Sequence, residues 1–210
     1  MEFDIIKINT VNDDSISYTN NVPDIKLGRS RFWWNIIDIP VTLEYPVWLD
    51  LAAQLNLNDL TNLIDNSLLP NTGMLYFFID EYLESGKVIY IEDNNIELKR
   101  LVYKEEIPKW YYFGDLVTDF EIEKESLESR YTMDNWIKEW DSFHWDDIIK
   151  IWGIQVHCQK DETEILDILK SNQYLLLSIW TGDWSLSVFI DKDDLKNKRF
   201  HNCKFEWGQS

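Results

Sequence analysis

The chain has 210 residues, 45% of them hydrophobic, with eleven Trp, ten Tyr and ten Phe. That is enough to bury roughly 70% of the unfolded surface in one large domain without disulfide or metal staples. Its 38 acids against 20 bases leave a formal charge of −18, which disfavours nucleic acid and anionic membranes and favours a basic protein partner. Two cysteines make no disulfide framework, and no segment is apolar for long enough to be a secretory leader or a membrane span, so a cytoplasmic protein is expected.

In chain order, residues 1–30 mix polar and apolar positions with turn signals at NDD and NN. RFWWNIIDIPV, from Arg31, is rich in aromatic and β-branched residues and reads as a strand that stops at Pro40. WLDLAAQLNL (48–57) suits a strand or a short helix, and NDLTNLID (58–65) suits a helix with Asn58 as N-cap. GMLYFFID (73–80) predicts a strand buried on both faces, and KVIYIED (87–93) and ELKRLVYKEE (97–106) alternate as antiparallel neighbours do. A similar order restarts near residue 150: KIWGIQVH, an acidic helix over DETEILDILK (161–170), then QYLLLSIW, WSLSVFIDKDDL and RFHNCKFEW. Leu75, Phe78, Ile79 and Asp80 match Leu186, Phe189, Ile190 and Asp191 at one constant offset, as a worn duplication would. The expected architecture is therefore one α+β domain over 1–210, mainly antiparallel sheet with a few short helices. Its two degenerate repeats, about 30–110 and 148–210, are joined by an acidic, partly helical segment over 115–147.

That segment concentrates the charge. From Asp115 to Asp167 there are fifteen acids and five bases. A helix over 133–143 would align Trp136, Ile137, Trp140 and Phe143 in one apolar stripe, which marks them as core rather than as a ligand cage. Trp145 lies beyond the stripe beside Asp146 and Asp147. With Glu121, Glu123, Glu125, Glu128, Glu139 and Asp141 it forms a candidate partner-binding surface, acids for attraction and an aromatic for contact area. The alternative is an acidity that serves only solubility.

No nucleophile, P-loop or zinc-protease motif occurs, so no catalytic residues and no cofactor are expected. His157 and Cys158 are adjacent, which in a strand points them to opposite faces; His201 and Cys203 share a strand face, with Cys203 read as core. No metal site is expected. Asp183, in a Gly-Asp turn, is the best-placed site acid, although its ordinary role is to bond turn amides. Asp80 and Asp191 read as caps of the segments that follow them.

YPVWLDLAAQLNLNDL with LLPNTGMLYFFID, KIWG with Gln159 beyond it, and GDWSLSVFIDKDDLKNKRFHNCKFEW together resemble the YwqG-like family of bacterial domains of unknown function, over roughly residues 28–207. The chain departs from that pattern at FWWNIIDIP, where paired glycines are usual, and after Trp207, where Gly208 and Gln209 stand in place of Asp-Cys. The resemblance implies a repeated, largely antiparallel architecture and no known activity. Because members recur beside secreted bacterial toxins, it also implies an immunity or antitoxin role. The competing expectation is a small-molecule or enzymatic pocket between the repeats, near Trp33, Trp34, Gln54 and Asp183.

Overall fold

A computed structural model describes residues 2–12, 26–32, 36–46, 48–61, 63, 68–80, 85–92, 95–102, 115–128, 148–157, 159–180 and 184–209. The chain divides into two compact units. The first comprises residues 9–82 and 86–119; the second comprises 1–8, 83–85 and 120–210.

In the first unit, β2 (Arg31–Phe32), β4 (Asp50–Asn56), β5 (Met74–Ile79) and β6 (Gly86–Ile91) lie side by side, with the start of β8 (Asp115–Ser126) beyond β2. Every pairing given for them is antiparallel. A separate ribbon, β3 (Ile36–Pro40) with β7 (Leu98–Val102), supplies Ile37 and Ile39 to a core with Leu51, Met74, Tyr76 and Phe78. All six residues of β5 are buried, as its unbroken apolar run requires. Each large side chain hidden there contributes about 1.5–3 kcal/mol. Gly73 starts the strand at φ 103°, where a Cβ would stand 2.2 Å from the Ile91 carbonyl oxygen, so the glycine of PNTG is a steric necessity.

In the second unit the neighbours are β12 (Lys204–Gln209), β11 (Trp184–Asp191), β10 (Gln173–Trp180), β9 (Ile148–Ile151) and β1 (Glu2–Asn12). These pairings are antiparallel as well. Helix α1 (Glu162–Lys170) begins in a full capping box between Asp161 and Glu164, with Ile165 buried. The short α2 (Lys192–Lys196) follows Asp191, which stands at the N-cap position without a side-chain cap bond.

The two units pair their strands in matching register. Phe78 opposes Leu51 and Phe77 opposes Ala53, leaving Ala52 in a bulge. At the same place Phe189 opposes Leu175 and Val188 opposes Leu177, leaving Leu176 in a bulge. Tyr76 faces Gln54 and Gln54 faces Arg31, while Ser187 faces Ser178 and Ser178 faces Lys150. Positions can thus be compared between units one for one.

The α+β expectation is corrected: the fold is mainly β. Among the described residues α-helix is confined to α1 and α2. Within the helix expected over 58–65, Leu57–Leu60 form a 3-10 turn capped by Asn56 rather than Asn58; residues 62, 64 and 65 lie outside the described residues. The acidic segment opens as strand β8. Its expected helix over 133–143 lies outside the described residues. HNC does not continue the last strand; Phe200–Asn202 form a 3-10 turn and β12 begins only at Lys204. Among the described residues no helix is long and apolar enough to cross a membrane.

Candidate functional site

Each unit buries one charged knot on the face that includes the Arg31 or Lys150 position. In the first unit Arg31 and Asp38 are both fully buried, and Arg31 Nη2 donates to Asp38 Oδ2 at 2.5 Å. Arg100 adds two bonds to the same carboxylate and the Gly28 amide a fourth. Gln54 Oε1 accepts from the Asp38 amide, Gln54 Nε2 donates to the Arg29 carbonyl, and the Tyr76 hydroxyl donates to the Asp38 carbonyl. Burial pulls the Arg31 guanidinium down to about 10, against the opposing pull of Asp38, and it holds the Tyr76 phenol well above its ordinary range. With so many polar groups paired at the centre, this knot orders the fold, and Gln54 engages it through both its oxygen and its nitrogen.

In the second unit Lys150 is buried and its ammonium pairs with Glu125, whose other oxygen accepts from the Ile154 amide at 2.8 Å. Burial pulls the Lys150 ammonium below its ordinary value, with Glu125 opposing. The turn that brings Ile154 to Glu125 runs through Trp152 and Gly153, both at positive φ. A Cβ on Gly153 would stand 2.3 Å from Glu125 Oε2 and 2.4 Å from Ile5, which is why KIWG ends in glycine. Further along the row Glu206 accepts from Gln155 Nε2 and pairs with Lys160. The His157 ring lies against Gly208, where a Cβ would be 2.7 Å from it. Burial, then Lys160, hold the His157 pKa below the ordinary value.

Ser178 and Ser187 lie between Lys150 and Glu206 in register, with Ser185 two positions along β11; each is at most 1% exposed, and among the described residues none of their hydroxyls has a hydrogen-bond partner. The Trp152 indole N–H is likewise buried and unbonded. Ser178 neighbours Lys150 in register, yet no hydrogen bond links its hydroxyl to the ammonium that Glu125 holds.

The residues expected from sequence divide accordingly. Glu121 and Glu128 are exposed and Glu123 is partly exposed, paired with Lys7. Glu125 is buried and paired with Lys150. Gln54 is buried, with its amide bonded to the Asp38 N–H and the Arg29 carbonyl. Glu139, Asp141, Trp145, Asp146, Asp147, Trp33, Trp34 and Asp183 lie outside the described residues. Cys203 is a free thiol that burial raises to about 12. Among the described residues no three His, Cys, Asp or Glu side chains gather as a metal site. Lys150 and the three serines were missed, although WSLSVF puts Ser185 and Ser187 on one face of a strand by simple alternation.

No curated protein matches the chain. A family model described as a domain of unknown function, DUF1963, matches residues 37–208. That span takes in the second knot and, of the first, Asp38, Gln54, Tyr76 and Arg100 but not Arg31; the chain belongs to this DUF1963 family.

Proposed function

We propose that this protein is a stoichiometric binding protein that docks a basic protein partner through its acidic surface. The immunity or antitoxin role implied by the YwqG-like resemblance is the specific form of that reading. What carries it is the outer part of β8. Ile122 is 50% exposed in the run Glu121–Ile122–Glu123, and exposed Glu128 lies just past the end of the strand. An exposed apolar side chain in an acidic strand offers contact area, and the strand's exposed acids offer long-range attraction. A charge of −18 extends the field that a basic partner would meet on approach. The toxin most suited to such a surface is one that acts on nucleic acid, because its working face is basic and carboxylates can stand in for phosphates.

The test is a binding measurement against candidate basic toxins, with Glu121→Lys and Glu128→Lys introduced together. Both positions are exposed, so the variant should fold normally. The reading expects slower association in the variant and a steep loss of association rate with added salt in the wild type. Association that is indifferent to both salt and charge reversal would sink the electrostatic form of the proposal.

A further inference from the structure

We infer that His157 is a pH-operated latch: neutral, it fastens the last strand to the strap of chain that precedes α1; protonated, it releases that strand around Trp207 and Gly208. β12 ends the strand order of its sheet, and β11 is the neighbour it pairs with in register. The strap, residues 154–157 with 159 and 160, is rooted by Ile154 and Val156. Both are buried, and Val156 packs with Ile148 and Trp180. Three side chains of the strap then reach β12. Gln155 Nε2 donates to Glu206 at 2.9 Å, Lys160 pairs with the same carboxylate, and the His157 ring meets the Trp207 carbonyl at 3.3 Å.

The bonds fix the proton. The Gln159 amide donates to His157 Nδ1 at 3.1 Å, and a backbone N–H cannot accept, so Nδ1 carries no hydrogen. The Trp207 carbonyl can only accept, so Nε2 carries the hydrogen and donates it. A second proton must therefore enter at Nδ1, where it faces the Gln159 N–H and breaks that bond. The ring has no free space on its Gly208 side in which to turn. A Cβ on Gly208 would stand 2.7, 2.8 and 3.0 Å from three of its atoms. The protonated ring has to lift away, and the Trp207 carbonyl loses the His157 bond.

The charges that face the ring do not rescue the cation. They are Lys160 in the strap, Glu206 in β12 and Glu164 in α1. Glu206 already holds Lys160 and Gln155, and Glu164 accepts from the Asp161 amide in the capping box. An imidazolium therefore forms beside an ammonium, with both carboxylates engaged. Burial raises the Glu206 carboxyl, but its bonds to Lys160 and Gln155 outweigh that and hold it below its ordinary value. As pH falls through the histidine range, the Glu206 tethers persist and the His157 latch alone lets go.

The test uses the intact, isotope-labelled chain and NMR from about pH 7.5 to about pH 4.5. Ring spectra read the His157 tautomer and its titration midpoint. Amide hydrogen exchange, divided by the intrinsic rate of the chain, reads protection at Gln159 and over 207–209. The inference expects the Nε2–H tautomer, a midpoint below 6.5, and protection that falls as the ring titrates. Linkage sets the size of the fall: about tenfold for each pH unit by which the midpoint lies below that of the unfolded chain. Protection over 207–209 should also stay below that of β10, the mark of local opening. His157→Gln can give and accept the same two bonds without titrating, so its protection should hold within about twofold across the range. An Nδ1–H ring overturns the inference, as does protection that ignores the ring's titration or equals that of β10. An equal fall in His157→Gln overturns it as well. The wild-type readings suffice even if the variant does not fold.

Discussion

Removing the ammonium of Lys150 is the sharpest perturbation of the second unit. Lys150→Met leaves the Glu125 carboxylate 2% exposed, with its charge unanswered by Lys150 and its Ile154 amide bond still in place. Stripping one partner from a buried ion pair costs about 3–5 kcal/mol, a large share of the roughly 5–15 kcal/mol that holds a domain together. With a urea m-value of about 2 kcal/mol per molar, the unfolding midpoint should fall by about 1.5–2.5 M. The companion Lys150→Met/Glu125→Gln removes both charges and keeps an acceptor for the Ile154 N–H, so it should recover to within about 1–2 kcal/mol of wild type. Urea unfolding followed by tryptophan fluorescence and far-UV circular dichroism reads all three midpoints. A single variant that costs less than about 1 kcal/mol, or a double variant no better than the single, would refute the claim that Glu125 is a core carboxylate held by Lys150.

Gly153→Ala should destabilise by about 3 kcal/mol or more: a left-handed alanine costs about 1–2 kcal/mol, and its Cβ displaces the Glu125 carboxylate and Ile5. Urea unfolding of the single variant checks this, and a loss under 1 kcal/mol contradicts it. Asp161→Ala removes the acceptor of the Glu164 amide at the start of α1 and should cost about 1 kcal/mol in the same assay. His157 has its pKa lowered on folding from 6.5, so the unfolded chain binds the proton that the folded chain refuses. The stability it contributes is complete well above that value and drains away as pH falls through it. His157→Gln should therefore flatten the acid-side slope of Tm against pH relative to wild type; an unchanged slope refutes the shift.

Strands were legible wherever an apolar run met a turn residue. MLYFFI, QYLLLSIW and WSLSVF declare themselves as strands, and DETEILDILK as a helix. What local pattern could not show was partnership at a distance. The β3–β7 ribbon joins residues about sixty apart in sequence and exists because its apolar side covers the Tyr76 face. Glu125 looked like one more acid in an acidic run. Its burial depends on a lysine in another strand and on a glycine that leaves it room. Gln54 looked like a pocket residue for the opposite reason: a polar group in an apolar strand signals burial, but only the Asp38 knot shows what that burial serves. The serines of β11 carried a readable alternation, which puts Ser185 and Ser187 on one face.

The measurement closest to the centre of this account is the association rate of the wild-type chain with a basic toxin as ionic strength rises. An acidic docking surface requires a one-to-one complex whose on-rate falls steeply between about 0.05 and 0.5 M salt, and a smaller fall for Glu121→Lys/Glu128→Lys. A tight complex whose on-rate is flat across that range, in both proteins, would contradict it.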